Sequence, residues 1–387
     1  MLRNFFTLFF LILCFAVSGQ DKALMPYLEF LEKQNTNPAD YVFDLFKKYD
    51  IVILGERDHR DTTQYVLINK IMSDPRFIQN VGHVFTEVGV YNQTDNANRI
   101  LKGNYAFEED FTKDLRNLYR NIDYGVIWEK YNYWQFLNNI YRINKNLPQN
   151  EKITLYLTDV PYDWKEYRDT LAWNIFYKKI STRPYRDIIM GVNIIRGFEQ
   201  ILQDSTEHRK KALIILNRPH SYQDYLRDNR KNLKSVASYV FDYYPGMVAN
   251  VMINWRKLEK KDYLIADGKW DAAFHFMKNP SLGFDMKGSP FGDDLFDHYD
   301  KPANDTRYKD IYTGFIFYEP IEDWALTLGI PNIITNDFNE ELMRRVFIAN
   351  LNVKWNLDEF VKFFNNKRTS HINDEELIIN LKKWKVE

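Results

Sequence analysis

The sequence contains a single cysteine, Cys14, and it lies inside an amino-terminal apolar run rather than in the body of the chain. This run, residues 5–17, follows Arg3 and gives way to small and polar residues, a pattern typical of a secretory signal. Its length of about 13 residues is below the roughly 20 that a helix needs to cross a bilayer. We therefore predict a cleaved signal peptide over residues 1–20, export to the periplasm or the cell exterior, and no permanent membrane span.

Without Cys14 the mature chain has no cysteine, which excludes disulfides and thiolate metal sites. Its stability must come from the burial of apolar side chains, which make up 45% of the sequence. No fixed-period repeat, low-complexity tract or linker divides the chain. We therefore predict a single large domain over residues 21–387, and the sequence leaves its oligomeric state open.

An excess of charge of one sign is also absent, because 52 Lys and Arg residues nearly balance 53 Asp and Glu residues. No net field favours nucleic acid or an anionic membrane. Two short basic groups, residues 208–211 and 256–261, are flanked or interrupted by acids and are predicted to lie on the solvated surface. We therefore expect no nucleic-acid partner.

Several catalytic signatures are missing as well. The sequence has no H-E-x-x-H pair of the helical zinc proteases, no G-x-S-x-G nucleophile elbow, and no G-x-G-x-x-G or phosphate-cradling loop. These absences remove the common serine hydrolases, the nucleotide-binding folds and the kinases from the leading interpretations.

Short apolar runs alternate with segments of helical spacing along the chain. Strands are predicted over residues 50–55, 83–87, 153–159, 212–216, 247–253 and 314–318, and helices over residues 109–122, 128–145 and 185–203. Because alternating strands and helices imply crossover connections, we predict an α/β fold with a mainly parallel central sheet flanked by helices. Residues 278–308, rich in Gly, Pro, Asp and Asn, are predicted to form a lid or an irregular insertion, and residues 339–387 to add helices on the outside.

The predicted helix over residues 185–203 has an apolar stripe that we assign to the core: Ile188, Val192, Ile195 and Leu202. Its other face carries Arg186, Met190, Asn193 and Gly197. On this interpretation the Arg186 guanidinium is free to bind an anion or a developing oxyanion.

Polar side chains follow the predicted strands at the point where each strand ends. Glu56 and His59 follow the first strand, Glu87 ends the second, Asp159 ends the third, and His220 comes just after the fourth. Loops at the carboxyl ends of parallel strands meet at one edge of a sheet, where ligands usually bind. We therefore expect these side chains to share one rim.

Glu56 and His59 are the strongest local signal, because residues three apart in a helical turn share a face. A carboxylate beside a histidine raises the basicity of the imidazole and fixes its tautomer, as general-base catalysis requires. The structural alternative is a capped helix start, with Asp58 or Asp61 as the N-cap and His59 merely exposed.

Glu87 and His220 also have two interpretations. A carboxylate that ends an apolar strand is costly to bury without a partner, so Glu87 faces a polar group or pairs with an arginine such as Arg57. Pro219 imposes an extended or turn geometry that directs His220 over the edge of the sheet. Two carboxylates and two imidazoles also suit zinc or manganese, which leaves open a metal site made of Glu56, His59, Glu87 and His220.

These segments, in their order along the chain, resemble the erythromycin-esterase-like family. Leu54-Gly55-Glu56 with His59, followed by a strand ending in Glu87, is similar to the family's two strand-end motifs. Residues 186–193 resemble its R-D-x-x-M-A-x-N helix, and residues 213–220 are similar to its strand ending in H-N-x-H. Related members of the wider superfamily are the haem-binding ChaN-like lipoproteins and the Tiki metalloproteases.

The resemblance implies an active site composed of Glu56, His59, Glu87, Arg186 and His220. It implies that His59 activates water against an ester carbonyl, with no covalent serine intermediate and no required cofactor. The wider superfamily implies an alternative cofactor, haem or a divalent metal, near the first histidine.

Two positions depart from the family pattern. Arg60 stands where a glycine usually follows the first histidine, and we expect it to crowd the mouth of the site. Asn217 stands where the first histidine of H-N-x-H belongs, which leaves the site one imidazole short. Both departures bear on the substrate more than on the class of reaction.

The leading hypothesis from the sequence is an exported hydrolase that cleaves an ester, lactone or related acyl bond of a small molecule. His59 is the predicted general base and Glu56 orients it, while Glu87 positions the water and Arg186 and His220 stabilise the oxyanion. The alternative is a cell-envelope protein that binds haem, a divalent metal or a small ligand in the same cleft without catalysis.

Overall fold

The computed structural model describes residues 22–182, 184–223, 234–258, 262–297, 305–351, 353–372 and residue 384. The predicted signal peptide, residues 1–20, lies outside this range, as do residues 298–304 of the predicted lid and residues 373–383 near the carboxyl terminus. Within the described residues, no helix is both long and apolar enough to cross a membrane.

A seven-stranded sheet forms the centre of the protein, with the order β3-β2-β4-β1-β5-β9-β8. All neighbouring strands in it are parallel except β8, which pairs antiparallel with β9 at one edge. The pairs β6–β7 and β10–β11 form two small separate sheets. The strands are β1 (Ile51–Glu56), β2 (His83–Val90), β3 (Thr154–Asp159), β4 (Ala212–Asn217), β5 (Val248–Ile253), β6 (Arg256–Leu258), β7 (Asp262–Leu264), β8 (Leu282–Asp285), β9 (Gly314–Phe317), β10 (Ala325–Leu328) and β11 (Arg368–His371).

Helices cover both faces of this sheet and connect its parallel strands. They are α1 (Met25–Leu31), α2 (Pro38–Phe46), α3 (Thr62–Ser73), α4 (Pro75–Asn80), α5 (Thr94–Leu101), α6 (Glu108–Tyr119), α7 (Tyr131–Lys145), α8 (Thr170–Ser181), α9 (Tyr185–Gln203), α10 (Val236–Tyr243), α11 (Lys269–Phe276), α12 (Pro290–Asp293), α13 (Tyr308–Ile311), α14 (Asn339–Ile348) and α15 (Leu357–Asn365).

The central strand β1 shows why this arrangement forms. All six of its residues are buried, because it has a parallel neighbour on each side and helices on both faces. Val52 and Leu54 pack into the core on one face of the sheet, and Ile51 and Ile53 pack into the core on the other. The α/β fold with a mainly parallel sheet, predicted from the sequence, is confirmed.

The segment predicted as a lid or irregular insertion, residues 278–308, contains regular structure. Strand β8 within it completes the edge of the central sheet, and the short helix α12 follows it. The strand pattern of β8 is weak in the sequence because Gly283 interrupts it. Glycine is needed at this position because a Cβ there would lie 2.5 Å from the Cβ of Tyr41, which packs against the strand. A role for this segment as a lid stays a prediction.

The assignment of the buried face of α9 from the sequence is wrong for Ile188 and Val192, whereas Ile195 and Leu202 are partly buried and pack against the core as predicted. Ile188 and Val192 are exposed, and the face toward the sheet is the one that carries Met190, Asn193 and Gly197. The Asn193 amide donates a hydrogen bond to the Thr158 carbonyl at the end of β3 (2.9 Å), which fixes the rotation of the helix. This rotation carries Arg186 onto the rim of the sheet rather than leaving it free.

A close approach between α9 and the sheet is possible because residue 197 is glycine. A Cβ at this position would lie 2.7 Å from Phe85 Cε1 and 3.2 Å from Tyr156 Cδ1, and these two rings stack on each other. Gly197 therefore allows α9 to lie close to β2 and β3.

We expect Gly197→Val to lower the free energy of unfolding by about 1–3 kcal/mol, because added methyl groups would overpack this contact. Gln200→Val on the exposed side of the same helix is the control, and its effect should stay within about 0.5 kcal/mol. Urea unfolding followed by circular dichroism measures both. Equal effects of the two substitutions would contradict the proposed contact.

Candidate functional site

Glu56 and His59 meet in the turn between β1 and α3. Glu56 is the last residue of β1 and is buried, with 2% of its surface exposed. His59 Nδ1 lies 2.8 Å from Glu56 Oε2. Asp61 caps α3 through the Thr63 and Gln64 amides, so the helix cap and the Glu56–His59 pair coexist. The helix cap of the structural alternative is therefore present at Asp61, but His59 is paired with Glu56 rather than merely exposed.

The remaining contacts of Glu56 hold it in place for His59. Gln64 Nε2 lies 3.3 Å from Glu56 Oε1, and the same amide donates to the Asp58 carbonyl at 2.7 Å. Gln64 Oε1 accepts from the Arg57 backbone amide. One side chain of α3 thus braces the turn, and the donor on His59 Nδ1 is directed at Glu56, which leaves Nε2 facing away from β1.

Glu87 lies within β2, not at its end, because the strand continues to Val90 after an irregularity between Thr86 and Val90. Such an irregularity changes the direction of the strand and re-aims its side chains. The Glu87 carboxylate accepts from the Asn217 backbone amide at 2.7 Å and from Arg186 Nη2 at 3.1 Å. Glu87 is therefore buried with partners at both oxygens.

The partner suggested for Glu87 in the structural alternative, Arg57, lies elsewhere. Its guanidinium is buried against Asp61, donates to Asn254 Oδ1 and the Tyr318 carbonyl at 2.9 Å each, and stacks on Trp324. Arg57 therefore joins the loops that follow β1, β5 and β9, and takes no part in the Glu87 cluster.

Arg186 makes the largest number of polar contacts in the site. Its Nε and Nη2 atoms donate to both oxygens of Asp159 at 2.9 and 2.8 Å, and Nη2 also reaches Glu87. Its Nη1 atom lies 3.5 Å from His220 Nε2. The sequence predicted a guanidinium free to bind an anion. In the structure, two of its three nitrogens already donate hydrogen bonds to carboxylates.

His220 lies in a short 3-10 turn, Arg218–His220, directly after β4. Its Nε2 atom is 3.4 Å from Glu87 Oε1, and its Nδ1 atom is 2.7 Å from Asp187 Oδ1. Asp187 is the neighbour of Arg186 in α9, so two successive residues of this helix contact the same cluster. The geometry at Nδ1 is not that of a hydrogen bond, so Asp187 acts on the ring through its proximity and charge.

The site closes through Glu87, whose Oε1 atom lies 3.8 Å from His59 Nε2. The structure thus brings together all five predicted site residues: Glu56, His59, Glu87, Arg186 and His220. Glu56 ends β1, Glu87 lies in β2, His59 and His220 follow β1 and β4, and Arg186 lies in the first turn of α9. His59 is the most open of the four titratable groups, with 24% of its side chain exposed.

Electrostatics in this cluster shift the pKa values of its two central groups in opposite directions. Burial would lower the pKa of His59, but the charges of Glu56 and Glu87 outweigh it and raise that pKa to about 9. Burial would raise the pKa of Glu87, but His220, Arg186 and His59 lower it to about 2. At neutral pH the resting site therefore contains a protonated His59 and an ionised Glu87.

A loop between α6 and α7 adds groups that the sequence analysis missed. The Trp128 ring packs edge-on against His59 with a centroid distance of 5.2 Å, and the Tyr124 ring lies 6.0 Å from the Arg186 guanidinium carbon. Asp123 is buried nearby, and burial raises its pKa to about 6. These residues follow a helix rather than a strand, so the strand-end pattern could not find them.

The two departures from the family pattern have local structural roles. Arg60 folds back onto Asp58 through Nε at 3.0 Å and Nη2 at 2.7 Å, which draws its charge away from His59. Asn217 contributes its backbone amide to Glu87 and pairs with Glu56 in the register of β1 and β4. The cluster is complete without an imidazole at position 217.

The same residues do not fit a divalent cation as they are arranged. No group of three or more His, Cys, Asp or Glu side chains in the described parts of the chain has the arrangement of a metal site. Glu56 is paired with His59, and the Arg186 cation already occupies the position beside Glu87 that a metal ion would take.

Comparisons with known proteins find structural likeness only. No family model and no curated protein matches the chain. Similar solved structures include a Bacillus cereus protein (9% identity, 77% of this chain and 97% of that one, TM-score 0.47). They also include an erythromycin esterase in its open conformation (9%, 77% and 96%, 0.40) and the haem-bound ChaN of Campylobacter jejuni (14%, 57% and 87%, 0.35).

We expect Glu56→Gln to lower the pKa of His59 from about 9 toward its ordinary value of 6.5, because the nearest negative charge is removed. Titration of the His59 ring protons by NMR measures this change. Glu109→Gln on the exposed surface of α6 is the control and should leave the titration unchanged. An unshifted His59 in the Glu56 variant would contradict the electrostatic assignment.

The same shift predicts how stability depends on pH. His59 is more basic in the folded protein than in the unfolded chain, so its contribution is fully present below pH 6.5 and is lost as the pH rises to about 9. The wild-type protein should therefore lose more stability than the Glu56→Gln variant between pH 6.5 and 9. Urea unfolding at these two pH values measures the difference, and equal losses would contradict the prediction.

Proposed function

We propose that this protein is a hydrolase that cleaves an ester, lactone or related acyl bond of a small molecule with a water molecule activated by His59. The observation that carries the proposal is the direction of the His59 ring. Nδ1 is fixed on Glu56 at 2.8 Å, and Nε2 faces the Glu87 cluster at the rim of the sheet. A ring held in this way presents one nitrogen to a reacting molecule.

In the proposed reaction, His59 Nε2 takes a proton from water as the water oxygen attacks the acyl carbonyl carbon. The resulting tetrahedral intermediate collapses when that proton passes to the leaving oxygen, and the products are an acid and an alcohol. Glu56 stabilises the imidazolium that forms between these steps, because its carboxylate accepts from Nδ1. No serine nucleophile and no cofactor is needed for this sequence of steps.

The other groups have distinct roles in this proposal. Glu87 lies 3.8 Å from His59 Nε2 and is ionised, so it accepts a hydrogen bond from the attacking water and orients it. Asp159 and Glu87 hold the Arg186 guanidinium in place. Its Nη1 atom and His220 Nε2 lie side by side and supply the donors for the oxyanion.

The raised pKa of His59 sets the working range of such an enzyme. With a pKa of about 9, only about 1% of His59 is neutral at pH 7, and only the neutral ring can take a proton. We include export in the proposal because residues 1–20 have the pattern of a secretory signal.

We expect His59→Ala to abolish ester hydrolysis, with a loss of at least about a hundredfold, because general-base catalysis contributes on this order. The fold should persist, since His59 is partly exposed and lies in a turn. His275→Ala, at an exposed position of α11, is the matched control and should keep full activity. Retained hydrolysis in a folded His59→Ala variant would refute the assignment of the base.

We expect kcat/KM to rise with pH and to level off above about 9, because the neutral form of His59 is the active one. In Glu56→Gln the midpoint of this rise should move to lower pH, while the plateau falls because the imidazolium loses its partner. Initial rates between pH 6 and 10 test both points. A profile that falls across this range in the wild type would assign the catalytic proton to another group.

A further inference from the structure

A second polar cavity lies at the opposite edge of the sheet from His59, at the amino ends of β2 and β3. It has a volume of about 370 Å³, and its lining includes His83, Lys102, Lys152, Thr154 and Arg209. His83 opens β2 and Thr154 opens β3, whereas the site around His59 lies where the strands end. The two sites are therefore separated by the length of the strands.

The floor of this cavity is built on the Arg209 guanidinium. It donates to Glu207 through Nε at 2.9 Å and Nη2 at 2.7 Å, and to the backbone carbonyls of residues 150 and 151 at 3.2 and 2.9 Å. Gly82, with φ of +67°, leaves the space that the guanidinium fills, because a Cβ there would lie 2.2 Å from Nη1. The sequence placed residues 208–211 on solvated surface, and for Arg209, which is 3% exposed, that was wrong.

Two lysines on the wall of the cavity have spare hydrogen-bond donors. Lys102 Nζ donates to Thr154 Oγ1 at 2.6 Å, and Lys152 Nζ donates to the Lys102 carbonyl at 2.7 Å. Each ammonium group carries three N–H donors, so these bonds use one of the three on each. Two carboxylates, Asp204 and Glu207, also line the cavity. Arg209 engages Glu207, and neither lysine forms a salt bridge within the described residues.

His83 supplies the observation that points to a ligand. It is 3% exposed, it lines the cavity, and neither of its ring nitrogens has a hydrogen-bond partner in the described part of the structure. Glu207 Oε2 lies 3.4 Å from Nε2 but is directed to Arg209. A buried imidazole without a partner is costly, and a bound polar group would satisfy it.

We propose that this cavity binds a small phosphorylated molecule through its phosphate group. Lys102 and Lys152 supply the charge, the His83 ring and the Thr154 hydroxyl supply hydrogen bonds, and Arg209 holds the cluster from below. The pKa of Lys102 also reflects the positive potential of the cluster, because burial and the charges of Arg209 and Lys152 lower it to about 8. The cavity is open and larger than a phosphate ion, so it has room for an organic group beside the phosphate.

Isothermal titration of the full chain with sodium phosphate, against sodium chloride at equal ionic strength, tests the proposal. We expect saturable binding to one site, weakened at least tenfold in Lys102→Gln and unchanged in Lys178→Gln, an exposed lysine of α8. Equal affinities in the two variants, or no saturable binding in the wild type, would overturn it.

A second measurement keeps the test independent of how any variant folds. The NMR signals of the His83 ring in the wild-type protein should shift with phosphate along the same binding curve, while those of His275, which is exposed on α11, should not. A His83 signal that stays fixed at saturating phosphate would place the bound ion elsewhere and refute this site.

Discussion

The Arg186 guanidinium is the contact on which the candidate site depends. It links Asp159 at the end of β3 to Glu87 in β2, and its remaining nitrogen lies beside His220 after β4. Three neighbouring strands are thereby joined at their carboxyl ends by one side chain from α9. Because two buried carboxylates without a cation would be costly, Arg186 stabilises the fold as well as the site.

The charges around Arg186 also determine what state the site rests in. Glu56 and Glu87 raise the pKa of His59, while His220, Arg186 and His59 lower that of Glu87. Glu87 and His59 are thus both held in their charged forms, and each charge stabilises the other. A reaction that uses neutral His59 must draw on a minor protonation state at neutral pH, which ties the proposed activity to alkaline conditions.

The sequence predicted the strand-end residues well because the signal for them is local. A buried strand followed by a polar turn is visible in the order of the residues, and Glu56 and His59 are three positions apart. The partner of Arg186, the contact of Asp187 with His220, and the Trp128 ring against His59 join residues far apart in the chain, so no spacing reveals them. The orientation of α9 was misassigned because the spacing of Ile188 and Val192 is typical of a buried stripe, although both side chains are exposed. The residues that face the sheet include Asn193 and Gly197.

The proposed chemistry is tested most directly by measuring hydrolysis of a panel of diverse esters and lactones by the chain without residues 1–20, with and without a chelator. We expect at least one substrate to be cleaved, at the same rate with chelator, with one oxygen atom of labelled water in the acid product and no burst of released alcohol. Absence of hydrolysis across the whole panel, or a rate that disappears with chelator, would contradict the account of a water activated by His59.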